Sequence, residues 1–170
     1  MIVKVNLDND KGRSIAIFSD CKSYRYMLER TWAYHGPRIL FIMLNPSTAD
    51  ERKNDPTIER CERRARALGF GSLRVCNIFA YRATDPMVMK SVEDPIGGEE
   101  NNAWIRACCV WSDAIICAWG CHGSYGGRGE QVESMLREYA EAVFHLGITK
   151  AGAPKHPLYV SYDTEPEQWF

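Results

Sequence analysis

Apolar residues follow two different patterns along this chain, and the change comes at Arg38. Before it, Ile2–Leu7 and Ser14–Phe18 read as short strands around the turn residues Asn9, Asp10 and Gly12. In YRYMLERTW, Tyr24, Tyr26, Leu28 and Trp32 fall largely on one face at a period of two. That spacing predicts a half-buried strand in an antiparallel setting. After Arg38 the apolar runs become continuous. ILFIML at 39–44 ends at Asn45-Pro46-Ser47, and residues 73–80, 114–119 and 143–146 repeat the pattern. Runs without alternation are typical of parallel strands buried on both faces.

Helix signals occupy the intervals. Asp55-Pro56 supplies an N-cap and a first-turn proline for a helix running to Leu68, with Gly69 as its stop signal. The stretch from Ala80 through Asp94, Pro95 and Gly98 reads as irregular. Helices are predicted over 101–111 and, after Gly126 and Gly127, over 130–140. Strand–helix repeats of this length predict right-handed crossovers. The expected fold is a three-layer α/β/α domain with a short central parallel sheet, preceded by N-terminal antiparallel strands. It forms one domain over 1–170, with a β segment at 1–35 and the core at 38–160.

Composition narrows this little. A chain of 170 residues suits one domain burying about two-thirds of its unfolded surface. With 45% hydrophobic and 25% charged residues it is ordinarily globular. No apolar run approaches the roughly 20 residues that span a bilayer. MIVKVNLDNDKGRS lacks the order of a signal peptide, so a cytoplasmic location is the default expectation. The seven cysteines show no four-ligand spacing. Cys76 and Cys117 sit in apolar runs as small hydrophobes, Cys108 and Cys109 share a helix, and only Cys117 and Cys121 form a close pair. Neither a metal nor a cofactor is expected. A formal net charge of -1 argues against a strongly basic nucleic-acid binder, leaves room for a local patch, and suits an enzyme for small phosphorylated substrates.

In open α/β sheets ligands bind beyond the carboxyl ends of the strands. The segments due there are LNPS (44–47), CNIFAY (76–81), AWGCHG (118–123), HLG (145–147) and KHPLY (155–159). Asparagines, histidines and aromatics with few carboxylates suit a planar polar ring, since an amide matches a base edge and an aromatic offers a stacking face. Asn45 and Asn77 are the candidate amides, with Phe79 and Tyr81 as candidate walls. Asn77 stands inside an apolar run, where an unpaired amide costs about 1–3 kcal/mol. Structural readings stand beside these: Asn45-Pro46 as a turn, His145 and Trp119 as core. The stretch GCHGSYGGRG resembles a phosphate cradle without the Lys-Ser/Thr of a P-loop. Gly123, Gly127 and the adjacent Arg128 are candidate anion ligands, together with Ser47.

The motifs LNPSTAD, NDPTIERC, GFGSLRVCNIFAYRATDP, DPIGGEEN, ICAWGCHG and HLGITKAGAPKHPLYV together resemble the bacterial and phage domain of unknown function 1643 family over residues 20–164. The same order more distantly resembles the uracil-DNA glycosylase superfamily. That second resemblance implies a glycosylase-like fold and hydrolysis of an N-glycosidic bond. It gives Asn45 of LNPS the placing of water, Asn77 of VCNIF the reading of the base, and His156 of KHP or His145 the stabilising of the leaving base. The sequence departs from that superfamily in three ways: no aspartate within LNPS, no second proline after His156-Pro157, and none of its iron–sulfur cysteines.

Arg60, Arg63, Arg64 and Arg66 suggest a basic helix face, interleaved with Glu59 and Glu62. Three classes of function fit: base excision from DNA, a hydrolase or transferase for free nucleotides, and a non-catalytic reader of a modified base. DNA or a nucleotide is thus the expected partner, with no membrane and no obligate protein partner. In a glycosidase, Asn45→Ala would reduce turnover more than binding, and Asn77→Ala would relax base choice.

Overall fold

A computed structural model describes residues 1–8 and 12–170, so Asn9 and Asp10 of the expected first turn lie outside the described residues. The elements are β1 (Ile2–Asp8), β2 (Gly12–Phe18), β3 (Arg25–Thr31), β4 (Arg38–Met43), α1 (Pro56–Ala67), β5 (Ser72–Asn77), α2 (Pro86–Ser91), α3 (Gly98–Trp111), β6 (Ala114–Ala118), α4 (Arg128–Tyr139), β7 (Phe144–His145) and β8 (Glu167–Gln168). All eight strands form one mixed sheet in the order β1-β2-β3-β5-β4-β6-β7-β8.

Its centre is parallel. β4 pairs with β5 on one side (Ile39↔Leu73) and with β6 on the other (Ile39↔Ala114), and β6 continues to β7. Alternation along β4 decides what covers each face. Ile39, Phe41 and Met43 pack with Ile58, Cys61 and Ala65 of α1, whose i, i+3, i+7 spacing makes one apolar stripe. Leu40, Ile42 and Leu44 pack with Ile105 and Cys108 of α3 and with Val132 and Leu136 of α4. The long apolar runs follow from this, because no face of the central strands meets water.

The antiparallel N-terminal strands join this core through β3, which pairs with β5. β3 is buried along all seven residues rather than on one face. Its polar side chains are internal because they are bonded there. Glu29, 1% exposed, accepts from Arg13 Nη2 at 2.7 Å and Thr31 Oγ1 at 3.2 Å on one oxygen, and from Arg74 Nε at 2.9 Å on the other.

Other differences have local causes. The run 73–80 is strand only to Asn77, yet residues 78–80 remain buried. Asn101 Nδ2 donates to the carbonyls of Asn77 and Ile78, and Arg128 Nε donates to Ile78 O at 2.8 Å, so those backbone groups are satisfied without a ladder. The supposedly irregular stretch holds α2, begun by the same signal as α1: Asp85 accepts from Met87 N, with Pro86 next. α3 starts at Gly98 rather than 101, and the two-residue β8 pairs antiparallel with β7. Five cysteines are buried as packing groups, while Cys21 and Cys121 are exposed. Burial pushes the thiols of Cys61 and Cys117 well up, which leaves them un-ionised. Among the described residues no helix is long and apolar enough to cross a membrane.

Glu29→Ala removes a buried carboxylate from two guanidinium partners that themselves reach solvent. Unfolding in urea is expected to show a loss of about 1–3 kcal/mol relative to the wild type.

Candidate functional site

From β4 the chain crosses to β5 on one side, then returns past β4 to β6 on the other. The loops leaving β4 and β6 therefore diverge at the carboxyl edge, the place where a crevice opens in such sheets. A cavity of about 820 Å³ lies there. Leu44, Asn45, Ser47 and Thr48 line it from the loop after β4, Asp55–Thr57 from the start of α1, and Ala83, Thr84 and Pro86 from the approach to α2. Trp119–His122 follow β6, and Thr149 with Lys155, His156, Leu158 and Tyr159 close the far side.

Hydrogen bonds fix the chemistry its walls present. Asn45 Nδ2 donates to Ala83 O at 2.7 Å and Pro46 O at 3.3 Å. Among the described residues nothing donates to its Oδ1, so the amide offers the cavity an oriented acceptor. Asp55, 8% exposed, caps α1 by accepting from Ile58 N at 2.9 Å, and its other oxygen accepts from Ala49 N at 3.3 Å. Each oxygen keeps further lone-pair capacity. His156 Nδ1 accepts from Leu158 N at 3.4 Å, which assigns the neutral ring's proton to Nε2. Desolvation lowers the His156 pKa to about 4, against an opposing effect of Asp55, so the ring is a neutral donor near pH 7. Lys155 adds an ammonium with no ion pair among the described residues.

Of the residues singled out in the sequence, Asn45, Ser47 and His156 meet at this cavity. His145 does not. It is 7% exposed, its Nδ1 accepts from Gly147 N at 2.9 Å, and its ring stands edge-on to Trp169. Asn77 does not either. It is 1% exposed beneath the loops; its Oδ1 lies 3.4 Å from Arg25 Nη2, and its Nδ2 has no partner among the described residues. Phe79, also 1% exposed, packs against Tyr125, and Tyr81 lines a neighbouring groove. The base-reading trio of Asn77, Phe79 and Tyr81 is thus not assembled around the cavity. The reason lies in the strand: β5 ends at Asn77, and the following apolar residues turn inward under α3.

The glycine-rich segment is also used differently from an anion cradle. A Cβ on Gly123 would lie 2.1 Å from Trp119 Cδ1, so this glycine admits the indole. Gly127, at φ 67°, turns the chain into α4. Arg128 is 3% exposed and donates to Ile78 O and, at 2.6 Å, to Asn102 Oδ1. Nor is the arginine face of α1 free. Arg63 and Arg66 pair with Glu59 and Glu62. Arg60 donates to the carbonyls of Pro157 and Val160, and Arg64 to those of Ser161 and Thr164.

Sequence reasoning missed Asp55, Thr57, His122 and Lys155. The signal for the first two was present. A helix that follows a parallel strand begins near that strand's carboxyl end, so a helix cap there also faces the crevice.

An α/β protein with a largely apolar cavity, carrying a few polar side chains, at the switch point of its sheet is the class this architecture defines. The chain belongs to the family described as protein of unknown function (DUF1643), whose profile matches residues 25–158. No curated protein and no solved structure matches the chain.

The depressed pKa of His156 links the cavity to acid stability. In the unfolded chain the imidazole takes a proton as pH falls through 6.5, while the folded ring resists until about 4. Stability is therefore expected to fall across that window and to level off below it. His156→Gln should flatten this part of the profile, as read from urea midpoints at several pH values.

Proposed function

We propose that this protein hydrolyses the N-glycosidic bond of a small nucleotide held in the cavity. One observation carries the reading: an oriented acceptor (Asn45 Oδ1), a carboxylate (Asp55) and a neutral imidazole donor (His156) line one cavity. Hydrolysis of a glycosidic bond needs groups of these kinds. A water held by Asn45 and Asp55 attacks the anomeric carbon, and the bond to the base nitrogen breaks with its electron pair. Asp55 accepts the proton that water loses, and the Nε2–H of His156 stabilises the charge developing on the base. The resemblance of LNPS to the water-placing loop of the uracil-DNA glycosylases supports the same chemistry. Asp55 supplies from the helix start the carboxylate that LNPS lacks.

A free nucleotide suits the surface better than DNA does. The α1 arginines are spent on internal carbonyls and on Glu59 and Glu62, and the net charge is -1. One observation favours a reader instead: both Asp55 oxygens already accept backbone N–H groups, which weakens the carboxylate as a base.

Base release from a panel of nucleosides, their 5′-monophosphates and oligonucleotides, followed by chromatography, tests the reading. Asp55→Asn and Asn45→Ala are expected to lower kcat by about 100-fold or more, with smaller changes in KM. Asparagine can keep the α1 cap through its one carbonyl oxygen but not the bond from Ala49 N, so a urea midpoint close to the wild type's is the check that Asp55→Asn remains folded. Tight nucleotide binding without release from any substrate would replace the hydrolase with the reader. Release from oligonucleotides alone would restore DNA as the substrate.

A further inference from the structure

Behind the cavity, across the loop at 47–48, lies a second and more open groove of about 380 Å³. Lys22, Ser23, Ser47, Thr48, Tyr81, Arg82, Ala83 and Thr84 line it, so it holds two cationic residues, several hydroxyls and no carboxylate. Ser47, Thr48, Ala83 and Thr84 also line the main cavity. The partition between the two spaces is the hydroxyl contact of Ser47 Oγ with Thr84 Oγ1 at 2.9 Å.

Positive charge collects around this groove, and the Asp55 carboxylate offsets part of it at Arg25. Arg82 Nη1 donates to Lys22 O at 3.2 Å, and its guanidinium lies over the Phe18 ring. Its Nε is buried with no hydrogen-bond partner among the described residues. Deeper, Arg25 is 2% exposed and donates only to neutral acceptors, Ala49 O at 2.8 Å and Asn77 Oδ1 at 3.4 Å. Ala49 directly follows the groove residue Thr48. None of Lys22, Arg25 and Arg82 forms an ion pair among the described residues. Buried guanidinium groups are ordinarily paired with carboxylates. Three cations around a hydroxyl-rich groove make a positive field waiting for an anion.

We infer that the groove formed by Lys22, Arg82, Ser23, Ser47 and Thr84 is a phosphate subsite, which takes the terminal phosphate of a substrate whose remainder fills the main cavity. This rests on the nucleotide reading for the rest of the substrate and deepens it by naming a phosphomonoester. Lys22 and Arg82 meet the dianion's oxygens from one side, and the hydroxyls donate from the partition. Arg25 adds field from behind without contact.

The test is calorimetric titration of the full chain with inorganic phosphate at low ionic strength. Arg82→Gln and Lys22→Gln are each expected to weaken binding about tenfold or more. Arg106→Gln removes a positive charge from the outer face of α3 and should leave binding unchanged. Lys22 is on the surface, so Lys22→Gln keeps the test decisive should Arg82→Gln unfold. Absence of phosphate binding by the wild type, or equal weakening in Arg106→Gln, overturns the inference. Binding of dimethyl phosphate as tight as that of inorganic phosphate overturns the monoester assignment. Phosphate binding lost in both groove variants, with no base released from any nucleotide, upholds the subsite and removes the hydrolase. Equal kcat/KM for nucleosides and their monophosphates, without phosphate binding, does the reverse.

Discussion

The Asp55 carboxylate ties the start of α1 to the loop that follows β4. One oxygen caps α1 through Ile58 N, and the other draws in Ala49 N. A cap of this kind contributes about 1 kcal/mol to a helix. The two bonds together set the path of the loop between β4 and α1. That loop presents Asn45, Ser47 and Thr48 to the cavity, and its Ala49 carbonyl is also the acceptor for buried Arg25. Asp55 and Arg25 attract one another across this loop, and the attraction opposes the desolvation that lowers the arginine's pKa to about 10. The guanidinium remains charged at neutral pH.

The opposite wall is held by a different device. Residues 157–164 have little regular structure beyond one 3-10 turn at Pro157–Tyr159, so their carbonyls need outside donors. Arg60 and Arg64 supply them from the second and third turns of α1, and both guanidinium groups also lie over the Tyr162 ring. One helix thus fixes both sides of the cavity: its first residues form a wall, and its arginines moor the segment that carries His156. Cations that look like a nucleic-acid patch in the sequence are the fastening of a returning chain.

The sequence disclosed the parallel core because β4, β5 and β6 are buried on both faces and write continuous apolar runs. It disclosed α1 because Asp55-Pro56 is an unambiguous start. It hid β8, whose two residues are too few for any periodicity. It misrepresented β3, where the period-two reading puts Glu29 on the face opposite Leu28, although it is buried because its partners come from β2 and β5. The cavity was half legible. Asn45 stands just past the end of β4 and lines the cavity, while His156 lines it from a loop well beyond the end of β7. Asn77 also stands at a strand end, but the chain beyond it dives under α3 and takes its side chain below the floor. Apolar residues after a strand carry no mark that tells a loop over the crevice from a loop beneath it.

The pairing pattern bears on the order in which the molecule can assemble. β1, β2 and β3 join through neighbouring segments, with Val5 opposite Ile15 and Ile15 opposite Glu29. Contacts so close in sequence close small loops and form early. β4 has no such neighbour: Phe41 meets Val75 on one side and Ile116 on the other. The centre of the sheet therefore waits for α1, α2 and α3 to be threaded on either side of it, and the crevice at its end comes into being only with the last of those crossings. A ribosome-bound chain that has emerged through β5 holds the antiparallel strands and most of the central pair, but lacks the strand whose divergence from β4 opens the cavity.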